Sequence, residues 1–165
     1  MIIKQVKTTE EINELAKLAD TVWHEYFPCI LSSEQIDYMV EKFQSVPALT
    51  DQLNNQGYRY FFLELDGTKI GYTGIKSEDG KLFLSKIYIL KPYRGHGYAS
   101  NTLQFLDDLC KKEGLKSIWL TVNKNNEPTI AVYKKKGFQT IRTQVADIGN
   151  GFVMDDYIME KTVAA

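Results

Sequence analysis

The sequence predicts an α/β fold that combines an antiparallel meander with a strand–helix–strand crossover. Up to Leu53, apolar residues recur at the spacing of amphipathic helices. From Tyr58 to Leu90 the pattern changes to that of strands, interrupted by two short turns that contain Asp-Gly. A helical segment then separates two apolar strands, and such a connection makes the strands parallel neighbours. We expect one domain, residues 1–165, with a core of its own.

Three helices are predicted between a short N-terminal edge strand and the meander. The edge strand covers residues 2–6. Thr8 with Glu11 and Ser32 with Gln35 have the spacing of capping boxes, and each pair precedes an amphipathic segment. The first helix should end near residues 27–28, and the third should begin at Pro47.

The second half of the chain alternates between strands and helices. The predicted strands cover residues 58–65, 69–75, 81–90, 115–122, 138–146 and 152–159. Gly114 ends the helix that follows the meander, and Asn126 begins a shorter helix with Pro128 in its first turn, which Gly137 ends. The meander therefore leads directly into the crossover.

Composition and charge exclude several classes of protein. Hydrophobic residues make up 44% and charged residues 25%, and the net charge of -1 gives no reason to expect a nucleic-acid partner. Lys4 and Lys7 interrupt any signal peptide, and no apolar run approaches the ~20 residues that span a bilayer. Cys29 and Cys110 are expected to be reduced core thiols. We expect a cytoplasmic protein that binds no membrane.

Residues 91–100 join the third strand of the meander to the following helix through a turn with two glycines. Gly95 and Gly97 permit unusual backbone angles, and the first amides of the helix have no partner in the helix. Such a turn suits a phosphate group, although it can also be only a tight connection. The phosphate-binding motif GxxxxGK[ST] is absent, and Ser100 stands at the third glycine position of the dinucleotide motif GxGxxG.

Two sequence blocks resemble the GNAT superfamily of N-acetyltransferases. The pattern Arg94-x-x-Gly97-x-Ala99 between a strand and a helix resembles the acyl-CoA-binding motif (Gln/Arg)-x-x-Gly-x-(Gly/Ala). A later block with Asn126, Tyr133 and Gly137-Phe138 is similar to a second conserved segment of that superfamily. The resemblance implies the GNAT fold, a single mixed sheet of six or seven strands with an antiparallel N-terminal meander and helices on both faces.

The resemblance implies acetyl-CoA as the cosubstrate, and no metal. Backbone amides of the glycine turn would hold its pyrophosphate, and residues 87–89 would pair with its pantetheine arm as an added strand. One amide of that strand would also stabilise the oxyanion of the tetrahedral intermediate. The residues implied in cofactor binding are Ile87, Tyr88, Ile89, Arg94, Gly95, His96, Gly97, Tyr98, Ala99, Ser100, Asn126 and Tyr133.

The implied reaction is direct attack of a neutral amine on the thioester. Tyr133 would protonate the departing thiolate, although it can also be an aromatic residue of the core. The base is unassigned, because Thr121 stands where some members carry Glu. We select Glu64 as the candidate base, and alternatives are His24, Glu25, Asp147 and Asp155.

The sequence leaves two classes of amine as alternatives for the acceptor. The chain resembles small bacterial members of the superfamily, including those that acetylate spermidine or spermine, so the first expectation is a polyamine or another small amine. A protein or peptide N-terminus, or a lysine, is the alternative. Residues 23–27 are expected either to line the acceptor pocket or to be ordinary helix packing. Residues 154–156 with Asp147 either attract a cationic amine or form a solvated strand face.

Two further hypotheses do not concern the acceptor. A sensor that binds acetyl-CoA without turnover is the alternative from a different functional class. The resemblance also implies a possible homodimer.

Overall fold

The computed structural model describes residues 1–26 and 32–163, and its seven strands form one sheet. The strand order is β1-β2-β3-β4-β5-β7-β6. The elements are β1 (Ile2–Gln5), α1 (Thr9–Tyr26), α2 (Ser33–Gln44), α3 (Val46–Asn55), β2 (Tyr58–Leu65), β3 (Thr68–Glu78), β4 (Lys81–Ile89), a 3₁₀ turn (Lys91–Tyr93), α4 (Tyr98–Glu113), β5 (Ser117–Asn123), α5 (Glu127–Lys135), β6 (Gln139–Gly149) and β7 (Phe152–Thr162). The predicted α/β class, with a mixed sheet, is confirmed.

The meander is built with two-residue turns. Asp66 and Gly67 have φ of 50° and 82°, and Asp79 and Gly80 have φ of 54° and 76°. Two successive positive φ values are typical of the type I′ turn, which closes antiparallel hairpins. β1 pairs antiparallel with β2 and lies at the end of the strand order, so the predicted edge strand is confirmed.

The crossover is also confirmed. β4 and β5 are parallel, with Leu82 opposite Ile118 and Phe83 opposite Trp119, and α4 connects them in sequence. β7 is antiparallel to both β5 and β6. β6 and β7 are longer than predicted. β7 continues to Thr162 through Glu160 and Lys161, which are charged and lack the apolar pattern of a strand, and β6 continues to Gly149.

The predicted helix starts at Thr8 and Ser32 are confirmed by their hydrogen bonds. The Glu11 amide donates to Thr8 Oγ1 at 3.1 Å, and the Thr8 amide donates to Glu11 Oε1 at 3.0 Å. The Gln35 amide donates to Ser32 Oγ at 3.1 Å. These bonds satisfy amides that a helix start leaves without partners.

The chain forms two compact units, Met1–Lys76 with Ser85–Leu106, and Ser77–Leu84 with Asp107–Ala165. In the first unit, helices cover both faces of β2. Tyr60 and Phe61 are consecutive and therefore point to opposite faces. The Tyr60 hydroxyl bonds to Gln52 of α3, whereas the Phe61 ring lies 5.5 Å from that of Phe105 in α4.

A buried hydrogen-bond network in the first unit joins the N-terminal helices to the meander. Trp23 Nε1 of α1 donates to the Tyr72 hydroxyl at 3.0 Å, and that hydroxyl donates to Gln44 Oε1 of α2 at 2.8 Å. The Tyr60 hydroxyl donates to Gln52 Oε1 of α3 at 2.6 Å. Tyr60, Tyr72 and Gln44 are fully buried. Because each of these groups loses water on folding, the partners fix the positions of all three helices.

The second unit is held by ion pairs that converge on β7. Lys161 Nζ lies 2.9 Å from Asp107 Oδ2 of α4. Glu160 accepts the Ser117 hydroxyl of β5 at 2.7 Å and lies 3.1 Å from Lys81 Nζ of β4. The Ser117 hydrogen bond, and after it the contact with Lys81, lower the pKa of the Glu160 carboxyl.

Two predictions concern the cysteines and the end of the first helix. Cys110 is a free, buried thiol, as expected. Cys29 and the predicted helix end near residues 27–28 lie outside the described residues. In residues 1–26 and 32–163, no helix has both the length and the apolar character needed to cross a membrane.

Replacing Tyr72 by Phe should lower the free energy of unfolding by about 1–3 kcal/mol, because buried Gln44 Oε1 loses its donor. Urea unfolding followed by circular dichroism measures the change. Tyr58→Phe is the matched control, since Tyr58 is only half-buried on the neighbouring strand. An unchanged midpoint for Tyr72→Phe would show that the network contributes nothing to stability.

Candidate active site

The turn between β4 and α4 contains two glycines with left-handed backbone angles. Gly95 has φ of 82° and Gly97 has φ of 83°. A Cβ atom at either position would meet nothing within 4 Å. The turn therefore needs glycine for its backbone conformation, and the space beside both residues is open to a ligand.

The amides of this turn point to an anion site. The Asn101 amide makes the first α4 bond, to the Gly97 carbonyl at 3.0 Å. Within residues 1–26 and 32–163, the amides of residues 95–100 have no main-chain acceptor. Several unpaired donors at the start of a sixteen-residue helix, together with its dipole, favour a phosphate group.

Contacts with β4 and α1 hold the turn in position. Arg94 Nε donates to the Ile89 carbonyl at 2.9 Å, so the guanidinium folds back onto the strand end. Glu25 Oε1, in the last turn of α1, accepts the Lys91 amide at 2.8 Å and lies 3.6 Å from Arg94 Nη2. Three residues of the turn and of α4 pack against Leu63, Ile70 and Ile89, namely Tyr93, Tyr98 and Ala99.

The strand residues before the turn are fixed by aromatic packing. The Tyr88 ring lies edge-on to Tyr72 at 5.5 Å and to Trp23 at 6.0 Å between ring centres. Lys86, which sequence reasoning did not single out, has its Nζ 5.9 Å from the rings of Tyr58 and Tyr60. Burial lowers the Lys86 pKa to about 8.

Asn126 and Tyr133 lie in the second unit, at the start and on the buried side of α5. Asn126 occupies the N-cap position, as predicted, and its side chain makes no capping bond. Its amide donates to the Asn123 carbonyl at 2.9 Å. Tyr133 is 9% exposed, and its ring lies 5.4 Å from that of Phe138.

Each base candidate selected from the sequence has a partner. Glu64 Oε1 lies 3.5 Å from Lys69 Nζ, which also binds Glu14 at 2.8 Å. The other contacts are His24 with Asp37 at 2.7 Å, Glu25 with the Lys91 amide at 2.8 Å, Asp147 with the Gly149 amide at 2.8 Å, and Asp155 with Lys124 at 2.8 Å. The Asp20 carbonyl and then Asp37 raise the His24 pKa.

Asp156 on β7 does not lie on a solvated strand face, which was one of the two expectations for residues 154–156 with Asp147. It is 4% exposed, whereas the neighbouring Asp155 side chain is 52% exposed and Asp147 is also exposed. Burial, and then the Asp155 charge, raise the Asp156 pKa to about 6. The alternation that buries Ile158 places Asp156 on the same face, and this was the signal in the sequence.

No set of three or more His, Cys, Asp or Glu side chains is arranged to bind a metal ion in the part of the chain that the structure describes.

Comparison with known proteins places the fold and both motifs in one family. Residues 16–138 match the acetyltransferase (GNAT) family. An uncharacterized N-acetyltransferase of Mycobacterium tuberculosis is 27% identical over 150 residues, which cover 90% of this chain and 96% of the relative. The spermidine N(1)-acetyltransferase of Thermoplasma acidophilum is 26% identical over 151 residues, covering 88% and 91%.

A solved structure supports the same fold. PaiA N-acetyltransferase from Thermoplasma acidophilum, crystallised with coenzyme A, superposes with a TM-score of 0.79 at 23% identity, over 98% of this chain and 99% of that one. Since the family match covers about three quarters of the sequence and includes the glycine turn, Asn126 and Tyr133, the chain belongs to the acetyltransferase (GNAT) family of enzymes.

Proposed function

We propose that the protein transfers the acetyl group of acetyl-CoA to a primary amine. The observation that carries this proposal is the glycine turn, whose amides at residues 95–100 lack main-chain acceptors among the described residues. Six amide donors beside the open space at Gly95 and Gly97 suit the negative charge of a diphosphate. Because the chain belongs to the acetyltransferase family, the diphosphate-containing ligand that we propose is acetyl-CoA.

In this proposal the pantetheine arm pairs with the strand residues before the turn, as an added strand would. Ile87, Tyr88 and Ile89 would bond through their backbone to the amides of the pantetheine arm. The Tyr88 ring packs on Trp23 and Tyr72, and a strand side chain projects out of the plane in which a further strand would pair. Arg94 would act indirectly, since its side chain holds the strand end.

Two residues of the second unit keep the roles that the family resemblance implies. The thioester, when bound, supplies an activated acetyl group. The Asn126 side chain makes no helix-capping bond, and it would bond to a pantetheine amide. Tyr133 would donate its phenolic proton to the departing thiolate, and its burial keeps competing water away from that proton. A strand amide among residues 87–89 would stabilise the oxyanion.

The proposed acceptor is a polyamine or another small amine. Support comes from the spermidine acetyltransferase of Thermoplasma acidophilum, which this chain matches over nearly its whole length. Glu64 stays a predicted base, although its ion pair with Lys69 occupies one of its oxygens. A protein or peptide amine is the alternative that an acceptor screen distinguishes.

Cytoplasmic location, a single domain and a homodimer stay predictions from the sequence. The homodimer has a candidate surface in the β6–β7 hairpin, where large apolar side chains are exposed. These side chains are Ile141 at 51%, Val145 at 67% and Val153 at 53% exposure.

The proposal is tested by thiol release from acetyl-CoA with a panel of polyamines, small monoamines and peptides. Tyr133→Phe should lower kcat by about 10²–10⁴-fold on the best acceptor and leave acetyl-CoA binding unchanged, because the ring remains and the acid is lost. Tyr157→Phe in the same unit is the control. If the wild type binds acetyl-CoA but acetylates no amine, the protein is a sensor instead.

Gly97→Glu should raise the Kd for CoA at least tenfold, since it places a carboxylate beside the diphosphate and strains a backbone at φ of 83°. Isothermal calorimetry measures this Kd. Gly57→Glu is the matched control, because Gly57 has φ of 78° and equally open space at the end of α3. Equal CoA affinity in the two variants would refute binding at the glycine turn.

A further inference from the structure

We propose that Asp156 is the general base that takes a proton from the acceptor ammonium group. This inference rests on the proposed function, because it assigns the proton acceptor for that reaction. It differs from the prediction of Glu64, which has an ion-pair partner on the next strand.

The first observation is a buried oxygen that makes no hydrogen bond. Asp156 is 4% exposed, and its Oδ1 has no hydrogen-bond partner among residues 1–26 and 32–163. A buried carboxylate is costly unless it is paired, and native structures satisfy most buried polar atoms. An oxygen left without a donor therefore needs an explanation, and a donor supplied by a ligand is the simplest one.

Three other acidic residues of the same unit have partners. Asp155 binds Lys124 at 2.8 Å, and Asp107 binds Lys161 at 2.9 Å. Glu160, four residues along the same strand, accepts the Ser117 hydroxyl and pairs with Lys81. Asp156 differs from all three, so its unpaired oxygen is a feature of that position.

Asp156 also lies beside the turn that carries the proposed pantetheine ligand. In the antiparallel pairing of β5 and β7, Asp156 is directly opposite Asn123, and such residues project to the same face. Asn123 accepts the Asn126 amide through its carbonyl and the Asn125 amide through Oδ1. Asp156 is thus adjacent to the residues that fix the start of α5.

Asp156 and Thr121 lie on one face of this sheet region. Thr121 is opposite Ile158, two residues from Asp156 on β7, so the two positions are diagonal neighbours about 7–8 Å apart. Thr121 itself provides no carboxylate. Asp156 supplies one on the same face from the adjacent strand.

The proton balance is complete with groups already named. Asp156 takes one proton from the ammonium, and the neutral amine forms the C–N bond to the acetyl carbon to give a tetrahedral adduct. As the C–S bond of the adduct breaks, the departing thiolate receives a proton from Tyr133, and Tyr133 regains one from the nitrogen that was added. Asp156 then releases its proton to water, which leaves the amide, free CoA thiol and one proton.

The acidity of Asp156 suits this task. A base with a pKa of about 6 is mainly ionised at neutral pH and still accepts a proton more readily than an ordinary Asp. The charged groups that act on it are Asp155 on its own strand, which raises the pKa, and Lys124 after β5, which lowers it. Because folding raises the Asp156 pKa, ionisation of this group lowers the free energy of unfolding. The loss begins as the pH rises above the unfolded-state pKa of 3.8 and is complete above about pH 6.

The test compares Asp156→Asn with the control Asp155→Asn in the full-length protein. The acceptor is spermidine, or the panel amine with the fastest turnover, and kcat/KM is followed from pH 5 to pH 9. Asp156→Asn should lower kcat/KM at pH 7 by about 10²–10⁴-fold and remove an inflection near pH 6. Acetyl-CoA affinity should stay unchanged in both variants. Asp155→Asn should keep an inflection but move it to lower pH, because the Asp155 charge raises the Asp156 pKa.

Thermal unfolding separates catalysis from a structural role. Above pH 6 the Asp156→Asn variant should be as stable as the wild type or more stable, since a neutral amide replaces a buried charge. An Asn variant that unfolds, or one that keeps the wild-type rate and inflection, would overturn the inference. If the wild type itself acetylates no amine, the proposed function fails and the inference fails with it.

Discussion

The conformation of the glycine turn is the constraint on which the proposed activity depends. In the part of the chain that the structure describes, its amides lack main-chain acceptors, because Gly95 and Gly97 hold left-handed angles and because Glu25 and Arg94 fix the preceding residues. Glu25 lies at the carboxyl end of α1, where a negative charge opposes the helix dipole at a cost of about 0.3–1 kcal/mol. The contacts that Glu25 makes to the turn account for its position.

The two compact units hold their elements together through different polar contacts. The first uses buried neutral hydroxyl and amide groups, with Tyr72 between Trp23 and Gln44. The second uses ion pairs around β7, such as that of Glu160 with Lys81. Asp156 Oδ1 in the second unit is buried without a hydrogen-bond partner among residues 1–26 and 32–163, and a polar group that weakens folding is often retained where it serves chemistry.

The sequence predicted those features that depend on local physics. The helix start at Thr8 and the Asp-Gly turns depend on contacts between residues close in sequence, so they were predictable. The crossover was predictable from the order of strand, helix and strand. The location of the glycine turn was predictable for the same reason. The hydrogen bond of Arg94 to its own strand and the burial of Asp156 depend on tertiary packing. The proposal that Asp156 is the base therefore depends on the strand pairing and not on the sequence alone.

Binding of a diphosphate by the turn's amides is the central claim, and amide NMR tests it most directly. In a titration of the ¹⁵N-labelled protein with CoA, the largest shift changes should fall on residues 95–100, whose amides would gain acceptors. Saturable binding that leaves these six amides unchanged, while shifting amides elsewhere, would contradict the account.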